Sequence, residues 1–135
     1  MATITATINL STDITNYSAS STMTMRKLGS TTGLDNSSGI ATKKFQATTA
    51  VVVIEQDEVT DSKASKVYMR NTGSNKENFF YVAINASAAA DTTTETVGRL
   101  YGGDWMLTPY EGAVNLTVAP STADDMTLEY GLFYE

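Results

Sequence analysis

The chain has 135 residues, a net charge of -6 and neither cysteine nor histidine. The length fits one domain with a single core, and the acidic balance works against binding a phosphate backbone. The two missing residue types exclude disulfides, thiol nucleophiles, Ser-His catalysis and His- or Cys-based metal centres.

Taken in chain order, the first element is TITATINL. Ile4, Ala6, Ile8 and Leu10 alternate there with Thr3, Thr5, Thr7 and Asn9, the period of a half-buried strand. The opening MATITATINLSTD lacks a basic n-region and a long apolar h-region, so no signal peptide is expected. No apolar run approaches the roughly 18 residues that span a bilayer, so no membrane partner is expected either. Residues 11–44 are rich in Ser, Thr, Gly and Asn and are expected to form a loop-like segment ordered by a partner. They carry Arg26, Lys27, Lys43 and Lys44 against Asp13 and Asp35, a mildly basic stretch on an acidic chain. The expected organisation is an N-terminal strand plus extended segment over residues 1–44 and a β-body over 45–135.

Within the body, ATTAVVVIE (47–55) and FFYVAI (79–84) are apolar at odd and even positions alike and read as central strands. Between them KVYMRNTG leads into a hairpin or short loop with Gly73 near its tip. VGRLY and DWMLT flank Gly102-Gly103, a second hairpin or a sharp corner, and Pro109 ends the second run. VNLTV and MTLEYGLFY return to strict alternation, each with one wet face. About eight short strands without a helical period predict an all-β chain, an antiparallel β-sandwich or jelly-roll-like single domain. The predicted core is Ile4, Ile8, Val51, Val53, Phe80, Val82, Ile84, Trp105, Leu107, Leu116, Val118, Leu128 and Leu132.

Carboxylates are what remains for chemistry. Glu55 and Asp57 share a spacing that oxygen-ligated Ca²⁺ uses, but no EF-hand pattern surrounds them, and the stretch reads as a solvated loop. Asp124-Asp125 reads as a turn. A glycosidase pair is not evident among so few aromatics, and GGDW lacks the Lys and helix of a phosphate loop. No catalytic residue, metal or cofactor is therefore assigned. In RLYGGDWMLTPYEG, the sole tryptophan has two readings. Trp105 and Leu107 point into the core, the preferred reading, or Tyr101, Trp105 and Tyr110 form a shelf for a sugar ring beside Asp104. Tyr110 and Glu111 are expected at an exposed edge, where tyrosine serves protein interfaces.

Residues 66–135, through KVYMRNTG, FFYVAIN, GRLYGGDWMLTPYEG, VNLTVAPST and TLEYGLFYE, resemble small virion proteins of tailed bacteriophages. The third element is similar to a Leu-x-x-Gly-(Glu/Asp)-aromatic-x-x-x-Pro pattern, with Gly102-Gly103-Asp104 in place of a simple Gly-Glu. The resemblance implies a β-sandwich or jelly-roll decoration (cement) protein on the capsid exterior, with the major capsid protein as partner and homotrimeric self-association. It implies no enzyme, no nucleic-acid partner and assembly in the host cytoplasm. Arg26, Lys27, Lys43 and Lys44 are then the expected capsid contacts. The alternative is a tail- or fibre-associated module that binds carbohydrate or a receptor.

Overall fold

Ten strands and no helix make up the regular structure of residues 5–12, 17–24, 34, 36–59, 65–85 and 95–135, which the computed structural model describes. Strands β1 (Thr5–Thr12) and β2 (Tyr17–Thr24) pair antiparallel as a separate two-stranded sheet, from Thr5 opposite Thr24 to Thr12 opposite Tyr17. Ile8 is 42% exposed on this hairpin and is not a core residue. Ile4 lies outside the described residues.

The remaining strands are β3 (Asn36–Phe45), β4 (Val51–Ile54), β5 (Ser65–Asn71), β6 (Phe79–Asn85), β7 (Thr96–Tyr101), β8 (Trp105–Tyr110), β9 (Asn115–Pro120) and β10 (Met126–Tyr134). They form two antiparallel four-stranded sheets, β3-β10-β5-β8 and β4-β9-β6-β7, consistent with a β-sandwich. Pairing is nested: β6 pairs β7, β5 pairs β8, β4 pairs β9 and β3 pairs β10. Two further pairings, β10 with β5 and β9 with β6, join these into sheets. The Gly73 and Gly102-Gly103 segments are therefore corners between sheets, not hairpins. The composition of residues 11–44 predicts a loop, yet residues 17–24 and 36–44 are strand. The ladder with distant β10 overrides local propensity in β3.

Inward-facing side chains make one core. Phe45, Val53, Ile54, Val59, Val67, Met69, Phe80, Val82, Leu100, Leu116, Val118, Met126, Leu128 and Leu132 are buried in it, with Val51, Ile84, Met106, Tyr130 and Tyr134 packed against its margin. Phe45 meets Phe80 edge-on, ring centroids 5.2 Å apart. Strand β9 departs from the expected single wet face: Asn115, Thr117 and Ala119 are buried along with Leu116 and Val118. Among the described residues, the Thr117 hydroxyl is the one buried side-chain polar atom without a hydrogen-bond partner.

Candidate functional site

The corner between β7 and β8 is braced by one side chain. Asn71, 1% exposed at the end of β5, donates from Nδ2 to the Leu100 carbonyl (3.0 Å) and the Asn78 carbonyl (3.4 Å), and its Oδ1 accepts from the Gly73 amide (3.0 Å). Its backbone is engaged as well: the Gly103 amide donates to the Asn71 carbonyl and the Asn71 amide to the Asp104 carbonyl. Gly102 is required by proximity. A Cβ there would lie 2.2 Å from the Asn75 carbonyl oxygen, and the Gly102 carbonyl accepts from Lys76 Nζ. Asp104 closes the turn, its Oδ2 accepting from the Tyr101 amide at 3.1 Å. These bonds tie the corner to the end of β5 and to the 73–78 segment, so Trp105 follows a braced support.

Trp105 is 48% exposed, which corrects its assignment to the core. The register is the reason. Met69 of β5 faces the core and lies opposite Met106, which turns Met106 inward and Trp105 and Leu107 outward. Tyr110 is corrected in the opposite sense. It is 6% exposed, its hydroxyl donates to the Val114 carbonyl (2.6 Å), and it cannot stack on a ligand. Burial, with Glu58 and Asp57 adding to it, pushes the Tyr110 hydroxyl up to about 12. Tyr101 is exposed and packs on Phe79 (5.0 Å), over which the Arg99 guanidinium also lies (4.8 Å). A groove of about 440 Å³ runs along the β7 and β8 edges, with Val82, Val97, Leu100 and Met106 at its apolar wall and Arg99, Asp104 and Trp105 among its other lining residues. That volume suits a small organic ligand.

A second surface emerges from the pairings and not from any one segment. Because alternate residues share a face, the outer side of the β3-β10-β5-β8 sheet carries, beyond a short end row of Lys44 and Thr127, three rows. One is Thr42, Glu129, Arg70 and Trp105; the next is Ile40, Gly131, Tyr68 and Leu107; the third includes Phe133, Lys66 and Pro109. Ile40 is 54% exposed. It lies over Gly131, where a Cβ would come within 2.7 Å of Ile40 Cδ1. The Tyr68 hydroxyl donates to Glu129 Oε1 at 2.8 Å. Burial and this carboxylate hold it above the ordinary tyrosine range, while Arg70 pulls the other way. The alternation Lys66, Tyr68, Arg70 in KVYMRN was the sequence signal for this face.

Of the expected basic contacts, Arg26 and Lys27 lie outside the described residues. Lys43 extends over the Phe45 ring (5.9 Å). Lys44 is exposed but paired with Asp125 at 2.5 Å. That lysine, with Gln46, holds the Asp125 carboxyl below its ordinary value. Among the described residues, no group of three or more carboxylates is placed to hold a metal ion, Glu55 and Asp57 included. No family model, curated protein or solved structure matches the chain.

Proposed function

We propose that this protein is a non-enzymatic component of a bacteriophage particle, a decoration protein bound as a homotrimer to the outer surface of the major capsid protein lattice. The observation that carries the reading is the nested strand order, β3 with β10, β4 with β9, β5 with β8 and β6 with β7. That order supports a jelly-roll assignment for residues 36–134, an architecture recurrent in viral capsid domains. The step from fold to function is analogy, and it takes up the expectation drawn from the resemblance of residues 66–135. A chain without His or Cys also suits a structural role, in which many weak contacts add through multivalency. Arg26 and Lys27 contribute charge to the lattice contact under this reading, whereas Lys44 is paired with Asp125 and Lys43 lies against Phe45 on the inner side of β3. The test is to separate purified particles into heads and tails and quantify the protein against coat protein by mass spectrometry. A fixed ratio on heads is expected, and recovery from tails alone refutes the head assignment.

The exposure of Trp105 at the mouth of the groove favours a second reading, a tail- or fibre-associated carbohydrate-binding module. An indole face stacks on a sugar ring, and the Asp104 carboxylate accepts from hydroxyls. Because Trp105 is the sole tryptophan, its fluorescence during glycan titration reports the event directly. Saturable quenching that Trp105→Ala abolishes supports the module; an unresponsive signal across a glycan panel rejects it.

A further inference from the structure

We infer that the outer face of the β3-β10-β5-β8 sheet is the docking face, and that its partner is a protein surface that combines apolar and acidic groups. This rests on the decoration reading, in which that partner is the coat lattice. Ile40, Tyr68, Leu107 and Trp105 form an apolar and aromatic band across β3, β5 and β8, with β10 contributing Gly131 beneath Ile40. Ile40 and Trp105 are exposed at the two ends of the band, with Tyr68 and Leu107 half-buried between them; apolar surface of this kind marks interaction sites, and tyrosine, tryptophan and arginine are enriched where binding energy concentrates.

Charge selects the partner. The chain carries -6 overall, yet the middle of this face presents Lys66 and Arg70 against Glu129, which lies opposite Arg70, a local excess of one positive charge. A two-fold contact centred between Lys66 and Arg70 would bring these like charges together. An acidic partner instead meets complementary charge.

The other sheet offers less, because β9 is buried along its whole length. Area sets the strength. Four strands about 4.8 Å apart and five residues at about 3.3 Å each give a face of about 300 Å². A stable standard interface uses about 800 Å² per partner. A single copy therefore binds weakly, and firm attachment comes from several copies on a repeating lattice.

The test uses co-sedimentation of the full chain with heads stripped of the protein. Ile40→Asp puts a charge into the apolar band and Arg70→Glu reverses the charge. The double variant Ala113→Asp/Ala123→Asp changes net charge by the same amount as Arg70→Glu, at exposed turns off the face. Ile40→Asp and Arg70→Glu are each expected to weaken binding at least tenfold with an unchanged sedimentation coefficient, and Arg70→Glu, which faces Glu129 across the ladder, to lower the melting temperature only slightly. Arg70→Glu should also flatten the salt dependence, and the control variant should bind as wild type. Undiminished binding by both face variants overturns the face while leaving the decoration reading intact. Failure of the wild type to bind heads overturns the decoration reading and this partner with it. Loss of self-association in the face variants makes the surface a contact between copies and overturns the proposal.

Discussion

Replacing Asn71 by Ala tests whether the inter-sheet corner is held by one buried amide. The substitution removes the bonds to the Leu100 and Asn78 carbonyls and the one from the Gly73 amide. Leu100 is buried, so its carbonyl is harder to rehydrate than the amide of half-buried Gly73. A buried group left unsatisfied costs about 1–3 kcal/mol, and each ordinary bond about 1 kcal/mol net, which places the total at about 3 kcal/mol. At this chain length 1 kcal/mol moves the melting temperature by about 3–4 °C, so a fall of about 10 °C is expected. Asn75→Ala is the matched control. Its Oδ1 also accepts from a backbone amide, that of Glu77 at 3.0 Å, but in the open, and a loss under about 0.5 kcal/mol is expected. Calorimetry measures both variants. Trp105 fluorescence, from the residue that follows the corner, should shift to the red in Asn71→Ala and not in Asn75→Ala. A melting temperature for Asn71→Ala within 2 °C of Asn75→Ala would refute the brace.

Leu128→Ala, at a fully buried position, should cost about 2–5 kcal/mol, while Trp105→Ala should cost under about 1 kcal/mol because the indole is outside the core; paired thermal melts decide, and equal losses would contradict the β8 register. Thr117→Val should raise stability by about 1 kcal/mol, since it replaces a buried unpartnered hydroxyl by a methyl group; a lower melting temperature refutes this. The Tyr110 hydroxyl ionises near 12 in the folded chain against 10.0 unfolded. Because the folded value is the raised one, this contribution to stability is intact below pH 10 and declines as pH rises from 10 through 12; denaturant melts across that window should show a shallower decline in Tyr110→Phe, with the share of Tyr68, also raised, remaining. Lys44→Ala should return the Asp125 carboxyl toward its ordinary value, read by NMR titration, and salt should do the same in the wild type.

The strands of the body were largely legible, because period-two alternation is a local property that MTLEYGLFY and VNLTV carry by themselves. Their phase was less so. In DWMLTPY both faces hold apolar residues, and only the pairing of Met106 with Met69, far away in sequence, decides which turns inward. Strand β3 had no local signal. NSSGIATKK has the composition of a loop and becomes strand through pairing with β10. The outer face of the β3-β10-β5-β8 sheet stayed hidden for the same reason, since Ile40, Tyr68 and Trp105 are neighbours only through three registers. Asn71 gave no hint of its role, because its partners at Leu100 and Asn78 are brought to it by the crossing between sheets.

Nested pairing imposes an order on synthesis and folding. The β6–β7 pair can form early, but β3 emerges from the ribosome long before its only pairing strand, β10. Until Met126–Tyr134 is made, β3 has no ladder to join and β5 lacks the neighbour on its inner side. The first sheet is thus completed by insertion of a late strand into its middle. Distant pairings of this kind place folding in the range of milliseconds to seconds, with the unpaired edges of β3 and β5 open to capture by other chains in the interval. Truncation within β10 should accordingly be far more damaging to soluble yield than removal of the β1–β2 hairpin, which makes a sheet of its own.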